Sequence, residues 1–279
     1  MVEESGFSGS FGGETQFVGA NKPTSARIVY YLKKRHTFGK MKMEIQDMEG
    51  NKVTTLNPSK SKGINVVNWN YTTRIPKMAE GKTLSFGGFT SPRVTAGTYK
   101  VVLTKGKNTY ETTIDLKYDE KSLTTMQERK EQEAITQELF DMVEDLAYMV
   151  YELGETQKTA QDVIDNHPKG KKTAEKLYNA LEELRKDLVI TTGDNYVASA
   201  EPELRERMAD LYSNVASSYD KVSGSQKQNM ELIKGEFQEA KSRYKAIMDK
   251  EGAKFMSWLE KNEMSKPEVK SKDDFLGAK

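Results

Sequence analysis

The chain has 279 residues, 30% charged and 36% hydrophobic, with no cysteine and a formal net charge of +1. Disulfides, thiolate metal sites and cysteine nucleophiles are excluded together, and no apolar run is long enough to predict a membrane-spanning helix. The near-neutral balance hides a partition: up to Lys117 there are 18 Lys and Arg against 9 Asp and Glu, and beyond it 25 against 33. Opposite signs on the two halves fit either a basic surface or two parts that attract one another. The scatter of lysines along the first half favours attraction.

The first residues, MVEESGFSGSFGGETQ, lack a basic segment followed by an apolar one, so no signal peptide is visible. Residues 1–20 are expected to be a linker. From there to about residue 120 the apolar signal has period two. Short β-branched and aromatic runs at Ala26–Leu32, Met41–Asp47, Lys52–Leu56, Ile64–Tyr71, Thr98–Lys105 and Thr109–Leu116 predict strands. Glu49-Gly50-Asn51, Lys62-Gly63 and Lys105-Gly106-Lys107-Asn108 supply the turns between them. So many short strands in about a hundred residues predict an antiparallel β-sandwich over 21–120.

After Tyr118 the period becomes helical. Leu139, Met142, Leu146, Met149, Leu153, Thr156, Ala160 and Val163 step by three and four, which predicts one long helix from Ser122 to Asn166, stopped by Pro168. Three further stripes follow: Ala174 to Leu188, Leu204 to Val222, and Met230 to Ile247. Together they predict an antiparallel helical bundle over 121–264, with the order of its helices left open. Pro202 suits the first turn of the third helix, and Ser225 with Gln228 suits a capping box for the last. Residues 265–279 carry little apolar periodicity and are expected to form a flexible tail.

The stretch SFGGF at 85–89 poses the main chemical question. A phosphate loop needs a preceding strand, a following helix N-terminus and a Lys-Ser/Thr pair at fixed spacing, whereas here a turn and a strand follow. The glycines are read instead as backbone freedom in an apolar loop, which makes Phe86, Gly87, Gly88, Phe89 and Arg93 candidate partner-contact residues. His36 and His167 lie in different halves, with no second ligand at metal spacing, and read as solvated loop residues. Asp141, Glu144 and Asp145 read as the wet face of a helix. Lys33-Lys34-Arg35 after Tyr30 and Tyr31 is the only basic triplet, a weak signal for contact with a nucleic-acid backbone or a polysaccharide. Asn70-Tyr71-Thr72 matches a glycosylation sequon, relevant only in a eukaryotic secretory chain. No catalytic residue, cofactor site or metal site is predicted.

The strand residues also carry a resemblance. GINVVNW (63–69), a long Gly/Phe loop and AGTYKVVL (96–103) resemble the Ig-like domain of flagellar hook-capping proteins. They are more similar to the region after the β-propeller in bacterial sortilin-like proteins built from Asp-box repeats. QFVGANKPTSARIVYYL (16–32) resembles the exit from that propeller, and DLVITTGDNYVASAEPELRERMADLYSNVASS (187–218) resembles a helix pair of the same family, with its Leu-Tyr step at Leu211 and Tyr212. The similarity spans roughly residues 14–250. It implies an Ig-like sandwich plus a bundle in a non-catalytic contact module. The same resemblance implies a periplasmic, cell-surface or secreted setting, and a protein partner that is a propeller domain or an envelope-complex subunit. Members are often labelled glycosyl hydrolases because of the propeller, but no Ser-x-Asp-x-Gly-x-x-Trp box occurs in this sequence. The alternative is an accessory carbohydrate-binding or glycan-processing protein, with Trp69, Tyr71 and Phe89 as stacking platforms. Period two weakens it, because Val67, Trp69 and Tyr71 share the more apolar face of their strand.

Overall fold

A computed structural model of the chain describes residues 25–84, 86–118, 122–192 and 200–277, apart from the side chain of Phe86. The linker expected over 1–20 lies outside the described residues. Among the described residues two compact units emerge: 25–74 join 91–129, and 75–90 join 130 onward. The first holds all the described strands. The second holds nearly all the helical residues and, in addition, the segment 75–90, which interrupts the strands in sequence.

In the strand unit, β1 (Ala26–Leu32) pairs antiparallel with β4 (Gly63–Trp69). A second antiparallel sheet has the order β3-β2-β5-β6, with β2 at Met41–Gln46, β3 at Lys52–Leu56, β5 at Gly97–Lys105 and β6 at Asn108–Leu116. Strict alternation sends Ile28 and Leu32 inward from β1, and Val67 and Trp69 inward from β4. With Met43, Ile45, Tyr99 and Val101 from the other sheet, Ile28, Val67 and Trp69 form one core. Burying each large side chain is worth about 1.5–3 kcal/mol. Trp69 is 1% exposed, its indole N–H donates to the Thr72 carbonyl at 3.0 Å, and its ring meets Tyr99 edge-on. The face assigned to Trp69 from the period-two pattern is therefore the face it occupies.

The turns follow from their residues. Asp47 accepts from the backbone N–H groups of Glu49 and Asn51 and from the Asn51 amide, closing the β2–β3 turn. Gly106, at a φ of +60°, opens the two-residue β5–β6 turn. The segment 75–90 leaves and re-enters between residues clamped by two backbone bonds. Val94 N–H donates to Tyr71 at 2.7 Å, and Thr73 N–H donates to Pro92 at 2.9 Å.

The helical unit is built on α1 (Met126–Asn166), 41 residues and about 62 Å long. A box at Thr125 and Glu128 caps its N-terminus. All eight residues of its predicted stripe are buried. The chain reverses at 167–170 into α2 (Lys171–Leu188), whose stripe Ala174, Leu177, Leu181, Leu184 and Leu188 is fully buried. After a break comes α3 (Leu204–Ser217), running back toward the start of α1: Phe140 packs on Tyr212, and Gln132 donates to the carbonyls of Val215 and Ser218.

The chain then turns into α4 (Gly224–Ile247), which runs parallel to α1. Lys227–Glu131, Lys234–Glu138 and Lys241–Asp145 pair at seven-residue steps on both helices. Such exposed pairs add little energy each but mark the register. A π-turn at Met248–Gly252 carries the same rod into α5 (Ala253–Lys261). The four stripes thus form three rods: α1, then α2 with α3, then α4 with α5. Phe255 and Leu259 of α5 are buried core residues that follow the last stripe recognised in the sequence.

Three local expectations shift. The capping box of α4 is Ser223 with Gln226, two residues earlier than Ser225 with Gln228, because both spacings exist and only the first lies at the helix start. Pro202 precedes the N-cap Glu203 instead of sitting in the first turn of α3. The expected flexible tail carries a short helix, α6 (Lys272–Leu276), N-capped by Ser271 and held on α1.

Gly170, at the entry to α2, sits directly under the Trp258 ring of α5. Its φ of −93° suits any residue, so an added methyl acts only by contact. Gly170→Ala is expected to cost about 1–3 kcal/mol in urea unfolding and to cost nearly nothing when Trp258 is already alanine. An equal cost in both backgrounds would show that the ring is not what excludes the methyl.

Candidate functional site

The segment 75–90 is fixed to the helices by contacts along its length. Lys77 N–H donates to the buried Glu144 carboxylate of α1 at 3.0 Å, and Lys82 N–H donates to the Ile190 carbonyl at 3.0 Å. The Thr83 carbonyl and hydroxyl receive Arg205 of α3, whose guanidinium also pairs with the neighbouring Glu206 at 2.5 Å. This ion pair is buried. A buried pair needs further hydrogen bonds to offset its desolvation; Thr83 supplies part of them by bonding both partners, while Arg205 Nε and Glu206 Oε2 are buried with no hydrogen bond.

Residues 86–89 form a single 3-10 turn lying on α3. A Cβ on Gly87 would fall 2.9 Å from both the Cβ and the carbonyl oxygen of Ala209, so only glycine permits this approach. Tyr212 closes the contact by donating to the Thr90 carbonyl at 2.8 Å, and the Thr90 and Ser213 hydroxyls bond at 2.8 Å. Of the candidate contact residues, Gly87 is thus buried against the chain's own helix, and Gly88 lies against Met78. Phe89 points outward, 73% exposed, with Leu84 nearby in sequence at 71%. Arg93 lies in the clamp on the strand unit, bridged to Thr72, and the Phe86 side chain is outside the described residues.

Sequence reading missed the anchors. Of the three carboxylates that the helical pattern puts on a wet face, Glu144 is 4% exposed and Asp145 half-buried; only Asp141 is fully exposed. Asp145 accepts from Lys241 of α4 at 2.9 Å and from Lys272 of α6 at 2.5 Å. Burial alone would push its carboxyl up, but the hydrogen bonds and charges of the two lysines outweigh this and hold it below the usual carboxylate range. The same pairing pushes Lys272 up. Phe275 stacks on Tyr151 at 4.7 Å, and the Lys77 ammonium lies over the Phe275 ring, 3.7 Å from its centroid. The one signal in the sequence was Phe275 itself, an aromatic in an otherwise polar tail.

Beside α6 a groove of about 650 Å³ runs between Lys77, Tyr151, Lys158, Tyr178, Arg185 and Phe275. Its charges are mixed: Lys158 pairs with Glu155, and Arg185 reaches Gln157. Among the described residues that line it there is no serine, threonine, cysteine or histidine. Both histidines are half-buried instead of solvated, His167 with its ring edge toward Trp258. Among the described residues no cluster of histidine and carboxylate could hold a metal ion, and no helix is long and apolar enough to cross a membrane.

Comparison with protein-family models, with curated proteins and with solved structures found no match. Function therefore rests on the geometry.

The Asp145 site makes a pH prediction. A carboxyl held down in the folded state contributes stability that is complete above its unfolded value of about 3.9 and is lost as pH falls through the lower folded value. Asp145→Asn is expected to lower the unfolding midpoint at pH 7 by about 2 °C, with the gap closing in acid below pH ~4. A gap that persists at the lowest pH would show that charge is not its origin.

Proposed function

We propose that the chain is a non-catalytic protein-contact module, in which an Ig-like antiparallel β-sandwich is followed by an antiparallel helical bundle. The observation that carries this reading is the segment 75–90: it is bonded to the helical unit at Lys77, Lys82, Thr83 and Thr90 and packed on α3 at Gly87, yet presents Leu84 and Phe89 outward. Two large apolar side chains on an anchored segment lose little further entropy on docking, and covering them relieves an exposure that otherwise costs solubility. The resemblance to sortilin-like proteins supplies the setting. The module would lie in an envelope or secreted bacterial protein, docking on a propeller domain or on another envelope subunit.

Of the three platforms of the carbohydrate-binding alternative, Trp69 is buried with its N–H satisfied inside the strand unit, and Phe89 alone stands open. Tyr71 is half-buried against the Trp69 ring. A sugar-stacking surface needs open ring faces.

Capture from an envelope fraction of the source cell tests the reading. Wild-type protein is expected to recover a defined partner, and Leu84→Ser/Phe89→Ser to lose it at least tenfold, at unchanged thermal stability. Equal recovery with both forms would contradict the proposal, as would hydrolysis of aryl glycosides abolished by one carboxylate substitution.

A further inference from the structure

The lysines that look scattered along the first half of the sequence are gathered by the topology. β1 ends, β2 begins, β3 ends, β4 begins, β5 ends and β6 begins at one and the same end of the strand unit. The pairings Leu32–Gly63, Met41–Lys105, Met43–Leu56 and Lys105–Asn108 fix this within each sheet, and the bond between His36 and Lys60 ties together the two connections that cross from one sheet to the other. Three connections meet there: 33–40, 57–62 and 105–108. They carry Lys33, Lys34, Arg35, Lys40, Lys60, Lys62, Lys105 and Lys107, and not one Asp or Glu.

Cross-bonds hold the three connections together. His36 N–H donates to the Lys60 carbonyl at 3.0 Å, the Lys60 ammonium to Gly39 at 3.1 Å, and Gly106 N–H to Lys40 at 3.1 Å. Seven of the eight cations are exposed and Lys105 is half-buried. The carboxylates of the β2–β3 turn, Asp47 and Glu49, lie at the opposite end.

Among these cations sits Phe38, 87% exposed at the tip of the longest connection. The outward pair Tyr31 and Ile64, directly opposite one another on β1 and β4, stands one position from the same end, at 66% and 76% exposure. We propose that this end of the strand unit is a docking surface for an anionic lipid bilayer, with Phe38 entering the interface and the surrounding lysines at headgroup level. Charge complementarity selects the acceptor: eight like charges with no internal neutralisation need an anionic surface. The apolar tip selects its kind. A fluid interface accepts a protruding Phe and an aliphatic Ile without a preformed pocket, whereas single-stranded nucleic acid needs a series of stacking rings, and Ile64 offers none.

Vesicle co-sedimentation tests this with phosphatidylcholine alone against phosphatidylcholine containing about 30% phosphatidylglycerol, an anionic headgroup. The full chain is expected to partition onto the anionic vesicles only, and to be released as salt rises from about 0.1 to 1 M. Lys33→Glu/Lys34→Glu/Arg35→Glu should weaken partitioning by about a hundredfold or more, and Phe38→Ser by about tenfold. Lys169→Glu/Lys171→Glu/Lys172→Glu, an equal charge change at the start of α2, should leave it intact. No binding to anionic vesicles, equal binding to neutral ones, or equal loss with the α2 variant would overturn the proposal. So would binding of a single-stranded oligonucleotide in place of vesicles. None of these outcomes bears on Leu84 and Phe89, which belong to the other unit.

Discussion

The contact between Gly87 and Ala209 decides what the inserted segment can be. With no side chain at 87, the backbone of 86–89 comes down onto α3, and Tyr212, Ser213 and Arg205 can reach Thr90 and Thr83. A larger residue would lift the turn by the width of a methyl group and break these bonds together, since hydrogen bonds weaken steeply with distance and angle. What would otherwise be a long exposed loop becomes part of the helical unit's packing. Ala79 is buried by this packing, whereas Leu84 and Phe89 face outward.

The same economy of anchors recurs at the other side of α1. Asp145 stands where α4 and α6 both bring a lysine, and the Tyr151–Phe275 stack seats the tail beside it. Lys77 joins the two arrangements, with its backbone bonded to Glu144 and its ammonium over Phe275. Consecutive carboxylates on α1 therefore hold the inserted segment and the C-terminal helix. Each bond is modest in energy. Their effect is positional, because they turn two polar stretches with weak structural propensity into fixed surfaces.

Period-two and helical patterns made the strands and the buried stripes of α1 to α4 legible to within one or two residues at most ends, because local periodicity reports directly on which face is buried. Trp69 could be placed inward for the same reason. Whatever depended on contacts distant in sequence stayed hidden: the seating of SFGGF on α3, the burial of Glu144, the docking of Phe275. A carboxylate on a helix looks wet until a backbone N–H sixty-seven residues away is seen to satisfy it. The basic end of the strand unit was hidden in another way. Its lysines were visible, but only the antiparallel order of the strands collects three separated connections at one end.

Residues 75–90 form a fixed platform instead of a loop, and native-state hydrogen exchange reads this at their own amides. The amides of Lys77 and Lys82 are bonded to Glu144 and Ile190, and that of Thr90 closes the 3-10 turn on Gly87. These amides are expected to exchange only as slowly as the opening of α3 allows, orders of magnitude below free-chain rates. Exchange at free-chain rates, with α3 still protected, would show that the segment is a free loop.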